Sequence, residues 1–257
     1  MKVINKRPAG FLFHYGHFIM DCVFPEILAG VPRHKKIYRL DIQRQTIGNF
    51  HELYERLMGV QNIEILAKEF KELRQPLKII KRITNPSIEQ IKYYRQFIFG
   101  RFSIPAAPKS KFPSIILIKR GCKPLLSNKQ YTAMRPGKLT HLTGKQRREI
   151  KQIDLLERWL RQRYGINVKT LVLEDIPYRA QIMYFKNAKY IIGIHGAALA
   201  NMLYCSPGTK LIEVNDGMRD WNWRFINNSM QKLGITRIRC DNDLQLVKKT
   251  IAVNIPK

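Results

Sequence analysis

The sequence predicts an α/β protein made of two Rossmann-like domains facing one another across a cleft. Three observations carry that expectation. In the second half, short apolar runs alternate with amphipathic helical stretches, as in parallel strands joined by helices. A segment at 101–114, RFSIPAAPKSKFPS, holds three prolines and breaks all periodicity near the middle. The 257 residues are 45% hydrophobic, enough to fill two cores of ordinary domain size. The expected domains are therefore residues 1–105 and 106–257.

In the second half, residues 114–119 (SIILIK) read as a buried strand. Residues 145–164 carry a helical stripe of Ile150, Ile153, Leu156, Trp159 and Leu160, stopped by Gly165. A strand follows at 168–173, then a helix at 177–188, with Pro177 suited to its first turn. Residues 190–194 form a strand and 196–205 a short helix. The last elements are a strand at 210–214, a helix at 221–233 and a strand at 236–239. The first half is less regular: helices at 19–28, 50–58 and 88–99, with strands at 36–40 and 63–66. Facing domains of this type put their strand ends, where ligands usually bind, on opposing walls.

Lys and Arg number 46 against 19 Asp and Glu, a formal net charge of +27. An anionic partner follows: nucleic acid, an anionic membrane surface or a phosphorylated small substrate. The basic residues are spread along the chain, with no block of five or six like charges, so a solvated basic surface explains most of them. No run approaches the roughly 18 apolar residues of a membrane span. The opening MKVINKRPAGFLFHYGHFIMD lacks the apolar core of a secretory signal, so a soluble, cytoplasmic protein is expected. Cys22, Cys122, Cys205 and Cys240 lie far apart without CxxC spacing, which signals neither a zinc site nor a disulfide framework.

The most informative stretch is 190–214, YIIGIHGAALANMLYCSPGTKLIEV. A strand runs into Gly193-Ile194-His195-Gly196, and a helix of small residues follows at once. The first amides of such a helix point outward, and its dipole favours an anion there. Gly196, Ala197 and Ala198 remove side-chain bulk, and His195 adds a hydrogen-bonding group. Tight packing of a buried helix on a sheet asks for the same small residues, so spacing alone leaves both readings open. Glu213, near the end of a strand, suits the hydroxyls of a ribose, a helix cap or an ion pair.

These residues resemble glycosyltransferase family 61. The run HGAALANMLYCSPGTKLIEV, ending its first part at Asn201, is similar to the family's GxHGAALAN…PG…xIE pattern. Upstream, LEDIPYRAQIMYFKNAKYIIG keeps Gln181 but has Ala180 where the family usually has an acidic residue. Gly16-His17-Phe18 with Asp21 is similar to the signature GHFxxD, and Ile118-Lys119-Arg120 to a strand-terminal arginine. Trp221–Trp223 before Leu233-Gly234 resembles the family's late aromatic helix. The resemblance implies a GT-B fold, a UDP-sugar donor, a glycan acceptor, inversion at the anomeric carbon, no cofactor and no obligatory metal. It implies nucleotide binding by the second domain and acceptor binding by the first. Xylose is the expected sugar and N-acetylglucosamine the alternative.

The implied roles follow the chemistry. Arg120 has a fixed charge and forked donors suited to a diphosphate leaving group, with surface charge as its alternative; Lys119 is the weaker candidate, because strand alternation turns it to the other face. His17 and Asp21 sit four apart on one helix face, so an imidazole held by a carboxylate is available as general base. Asp21 acting directly is the competing assignment, and His14 a further acceptor-side candidate. Glu174 is expected beside the uracil, and Asp175 as a cap of the helix at Pro177.

Other motifs fail. Asp241-Asn242-Asp243 is a literal DxD, but it falls after the last expected strand and reads as a turn and helix start. Gly137-Lys138 and Gly144-Lys145 lack the rest of a P-loop. A nucleic-acid-binding α/β protein is the rival class; its aromatics Tyr93, Tyr94, Phe97 and Phe99 sit at helical spacing, and no RNA- or DNA-binding signature is present, so no nucleic-acid partner is expected.

Overall fold

The computed structural model describes residues 2–5, 18–30, 36–39, 57, 62–65, 77–80, 83–106, 112–121, 148–217 and 224–257. The described residues fall into two compact units, one up to Arg101 and one from Phe102 on.

The first unit contains four parallel strands, β1 (Lys2–Asn5), β2 (Lys36–Arg39), β3 (Asn62–Ile65) and β4 (Leu77–Ile80), in the order β3-β2-β1-β4. Val3 of β1 faces Ile37 on one side and Lys78 on the other, so β1 is central. β2 and β3 lie where the apolar runs put them. β1 and β4 add to the expected set.

The helix expected at 19–28 is a π-helical turn, Phe18–Val23, that passes into α1 (Phe24–Leu28) with Pro25 in its first turn. Pro25 has no N–H to give, so the regular ladder begins only there. Phe24 packs on Tyr94 of α2 (Ile88–Arg101) with ring centroids 4.8 Å apart, and both side chains are fully buried. Ser87 and Gln90 close the start of α2 as a capping box: the Gln90 amide donates to Ser87 Oγ (3.2 Å) and the Ser87 amide to Gln90 Oε1 (2.8 Å). Tyr94 is therefore a core residue and Tyr93 its exposed neighbour. Of the helix expected at 50–58, only Leu57 is among the described residues; it is helical and buried.

The second unit is a five-stranded, wholly parallel sheet of β5 (Ile115–Lys119), β6 (Val168–Val172), β7 (Tyr190–Ile194), β8 (Lys210–Asn215) and β9 (Thr236–Asp241). Its order is β6-β5-β7-β8-β9. All five strands occupy the expected runs, and the mixed α/β class is confirmed. The helices are α3 (Ile153–Tyr164), α4 (Tyr178–Asn187), α5 (Arg224–Lys232) and α6 (Leu244–Asn254). Leu117, Ile192 and Ile212 of the sheet pack with Leu156 and Leu160 of α3 and Val247 and Ile251 of α6 in one core. The order reverses at β5: β6 lies on one side of it and β7, β8 and β9 follow on the other. Such a switch point leaves a crevice at the carboxyl ends of β5 and β7.

One difference from the sequence reading has a physical cause. α3 begins at Ile153 rather than 145, because Asn242 holds the preceding chain out of the helix: its Nδ2 donates to Glu149 O (2.9 Å) and its Oδ1 accepts from the Lys151 amide (2.8 Å). The short helix expected at 196–205 is present as a 3-10 helix, Ala197–Tyr204. The helix expected at 221–233 runs from Arg224 to Lys232, and Trp221–Trp223 lie outside the described residues. As expected, Asp241–Asp243 is a turn into a helix: Asp243 caps α6 by accepting from the amides of Gln245 (2.9 Å) and Leu246 (3.0 Å). Among the described residues no helix is long and apolar enough to cross a membrane.

Lys119 ties the sheet to α3, with its Nζ 2.6 Å from Asp154 and 2.9 Å from Glu157. Burial acts to lower the Lys119 pKa, and the two carboxylates more than offset it, so the net shift is upward. Burial likewise raises Glu157, but hydrogen bonds from Lys119 and Arg161 bring it down to about 2. A carboxyl depressed in the fold stabilises it above the unfolded value and loses that contribution as pH falls through the folded one. Glu157→Gln is therefore expected to cost about 1–2 kcal/mol at pH 7 after solvent screening. The deficit should close between pH 4.5 and 2, as read by urea unfolding of both proteins. An equal deficit at pH 2 and pH 7 would show that the ion pair is not its source.

Candidate functional site

The switch point gathers several of the residues singled out from the sequence. β5 ends at Lys119 and is followed by Arg120 and Gly121; β7 ends at Ile194 and is followed by His195 and Gly196. Arg120 Nη2 lies 3.5 Å from the His195 carbonyl. A Cβ on Gly196 would stand 1.9 Å from that same nitrogen, so only the missing side chain lets the guanidinium lie on the backbone here. The chain then enters the 3-10 segment, where Ala197 and Ala198 are half-buried and Leu199 onward is buried. The opening amides of a helical segment have no earlier carbonyl of that segment to bond. The guanidinium and this turn thus share one strand edge. Lys119 points the other way, into its pairs on α3, and does not join Arg120.

Glu174 sits in the short 3-10 turn Leu173–Asp175 that ends β6. Its carboxyl atoms are 2.9–3.2 Å from where a Cβ of Gly121 would be, so it lies beside the residue that follows Arg120. Gln181 of α4 holds this turn, with Nε2 donating to Leu173 O (2.9 Å) and Ile176 O (3.2 Å). Its Oε1 accepts from Asn201 Nδ2 at 3.3 Å, and Asn201 is fully buried. Asn201, a candidate binding residue in the sequence reading, here links the 3-10 segment to the β6 turn through Gln181. Pro177, not Asp175, occupies the N-cap of α4, with no side-chain cap.

Behind the turn lies a buried row of charge. His195 Nδ1 is 2.6 Å from Glu213 Oε1, and both side chains are 2% exposed. Arg237 grips the same carboxylate through Nε to Oε2 (2.5 Å) and Nη2 to Oε1 (2.9 Å). Burial raises the Glu213 carboxyl pKa, while hydrogen bonds from His195 and Arg237 lower it further, leaving it below the usual carboxylate range. Of the readings the sequence left open for Glu213, the geometry displays the ion pair: both oxygens are engaged inside the protein. Arg237 was missed. In the parallel register Leu211 faces Arg237 and Glu213 faces Arg239, so Arg237 is a diagonal neighbour of Glu213 on the same side of the sheet. That relation exists only once β8 and β9 are known to be adjacent.

His14 and His17 lie outside the described residues, and Asp21 is described only by its backbone, within the Phe18–Val23 turn. Among the described residues no group of three or more His, Cys, Asp or Glu is placed to hold a metal. A cavity of about 260 Å³ lined by Ser114, Arg163, Asn167, Tyr190 and Lys257 opens at the opposite, amino-terminal edge of the second sheet.

A model of the glycosyltransferase 61 family matches residues 15–212, from just before His17 to within β8. No curated protein was found to match the chain.

The two glycine contacts make a paired test of the strand edge. Gly208 has a φ of +83° but nothing within 4 Å of where an added methyl would stand, whereas Gly196 faces Arg120. Both alanine variants should lose about 1–3 kcal/mol from backbone strain, measured by urea unfolding. Only Gly196→Ala should also displace the Arg120 guanidinium, read in the NMR shift of its side-chain Nε. An unmoved Arg120 resonance in both variants would show that Gly196 does not set the guanidinium's place.

Proposed function

The chain belongs to the glycosyltransferase 61 family and is a glycosyltransferase; from that premise we propose that it moves a sugar, xylose in the first instance, from a UDP-sugar to a glycan hydroxyl with inversion. The observation that carries the reading is the contact of Arg120 with the turn at His195-Gly196, at the switch point of a parallel sheet. A departing UDP develops negative charge on its diphosphate. A fixed guanidinium beside helix-opening amides supplies stabilisation for that charge without a metal. UDP-N-acetylglucosamine is the alternative donor, because the difference lies in pocket shape around the sugar.

In this reading the donor diphosphate rests against Arg120 and the amides of Gly196, Ala197 and Ala198. Glu174, at the adjoining strand end, lies toward the uracil. Inversion requires a base that takes the proton from the acceptor hydroxyl as its oxygen attacks the anomeric carbon opposite the leaving group. His17 is assigned that role and Asp21 orients its ring, with Asp21 as the competing base and His14 on the acceptor side. A GT-B arrangement, with the acceptor held by the first domain and the nucleotide by the second, belongs to the same proposal, as does action in the cytoplasm. The excess of basic residues suits an anionic acceptor.

A panel of nucleotide sugars read by thermal shift tests the donor, because a ligand that binds only the folded state raises the melting temperature by mass action. UDP should stabilise the protein and UDP-xylose should stabilise it more. A shift with nucleic acid alone, falling steeply with salt, would favour the nucleic-acid reading instead. His17→Ala should remove turnover, by about 100-fold or more, with UDP affinity nearly unchanged. Lost UDP affinity with normal turnover would reverse that assignment.

A further inference from the structure

Arg237 lies beyond the matched residues 15–212, and no part of the proposed chemistry uses it. Yet it holds the carboxylate that holds His195. We propose that Arg237 is a positioning residue for the donor site, acting through Glu213 on His195 and so on the turn that carries Gly196 and meets Arg120. The proposal rests on the reading of that turn as the diphosphate site.

The contacts form a continuous series. The Arg237 fork binds both oxygens of Glu213, at 2.5 Å and 2.9 Å, and Nη1 is anchored on Asn227 Oδ1 of α5 at 3.0 Å. A carboxylate held by both oxygens cannot rotate, and its Oε1 meets His195 Nδ1 at 2.6 Å. That bond fixes the ring, with Nδ1 toward Glu213 and Nε2 on the opposite edge. The backbone of the same residue is pinned twice more: its amide donates to Val214 O at 2.9 Å, and its carbonyl is the one near Arg120. His195 is thus the last residue fixed from behind before the chain turns into Gly196–Ala198. The ion pair does more than fill the interior, because a buried pair kept only for stability is replaceable by apolar residues at little loss. Here its geometry ends on the residue that sets the turn. A lysine at 237 would keep the charge but not the fork, since an ammonium is a point charge.

The test uses the full chain with Arg237→Met and Arg237→Lys. Two quantities are read: the ring-nitrogen NMR shifts of His195, one of six histidines and assigned by its loss in His195→Gln, and the affinity for UDP by calorimetry. Arg237→Met should move the His195 shifts and weaken UDP binding about 10-fold, the factor that corresponds to one hydrogen bond of ordinary net strength. Arg237→Lys should recover part of both. A folded Arg237→Met that melts lower but keeps wild-type shifts and UDP affinity overturns the proposal, because that is what a merely structural ion pair does. If Arg237→Met does not fold, Arg237→Lys decides: unchanged shifts and affinity overturn it, and displaced shifts with weaker UDP support it. A wild-type protein that binds no UDP overturns the donor-site reading instead, and the ring shifts then decide the coupling of Arg237 to His195 on their own.

Discussion

Arg120 can lie on the backbone at Gly196 only because β5 and β7 are neighbours running the same way. Parallel neighbours bring their carboxyl ends to one edge, and the reversal of strand order at β5 opens that edge instead of covering it with a crossover. The features of the candidate site follow from this constraint. Residues 75 apart in sequence become adjacent, and a glycine becomes necessary where the guanidinium passes. The loop after each of these strands then has one small place in which to put its chemistry.

Two supports hold that edge from different sides. Gln181 and Asn201 join the β6 turn to the 3-10 segment, and thereby place Glu174 beside Gly121. Glu213 and Arg237 hold His195 from the β8–β9 side. The first support is neutral and uses amides: the donor end of Gln181 bonds two backbone carbonyls and its acceptor end takes the Asn201 amide. The second is ionic, and an almost fully buried carboxylate remains ionised there because a cation and a ring nitrogen both bond to it. Removing one partner of such a group strands the charge, which in proteins costs about 3–5 kcal/mol. Lys119, one residue before Arg120, is turned by strand alternation into a third, separate anchor on α3. Adjacent cations on one strand end therefore take unlike tasks.

The central strands β5, β7 and β8 were legible because each is a compact apolar run bounded by turn residues, as parallel strands covered on both faces require. The glycine at 196 and the arginine at 120 were legible as types suited to a close approach and to an anion. The late start of α3 was not, because its cause is Asn242, 91 residues away from Lys151. β1 and β4 were not, although they are no shorter than β2 and β3, which were. A short helix at 196–205 was legible, but not its 3-10 form, because the same small and apolar residues suit either type.

By itself the sequence determined the parallel α/β class, the family to which the chain belongs and the residue types at the strand ends, since these follow from local patterning and from motifs contiguous in the chain. Only the tertiary structure decided which charges meet. Glu213 could serve a ribose, a helix cap or an ion pair as far as its neighbours in sequence go, and the register of β8 against β9 brings Arg237 within reach of its carboxylate. The physical reason is that hydrogen bonds and ion pairs act over a few ångströms. Those distances are set by strand order and register, which no local stretch of sequence contains.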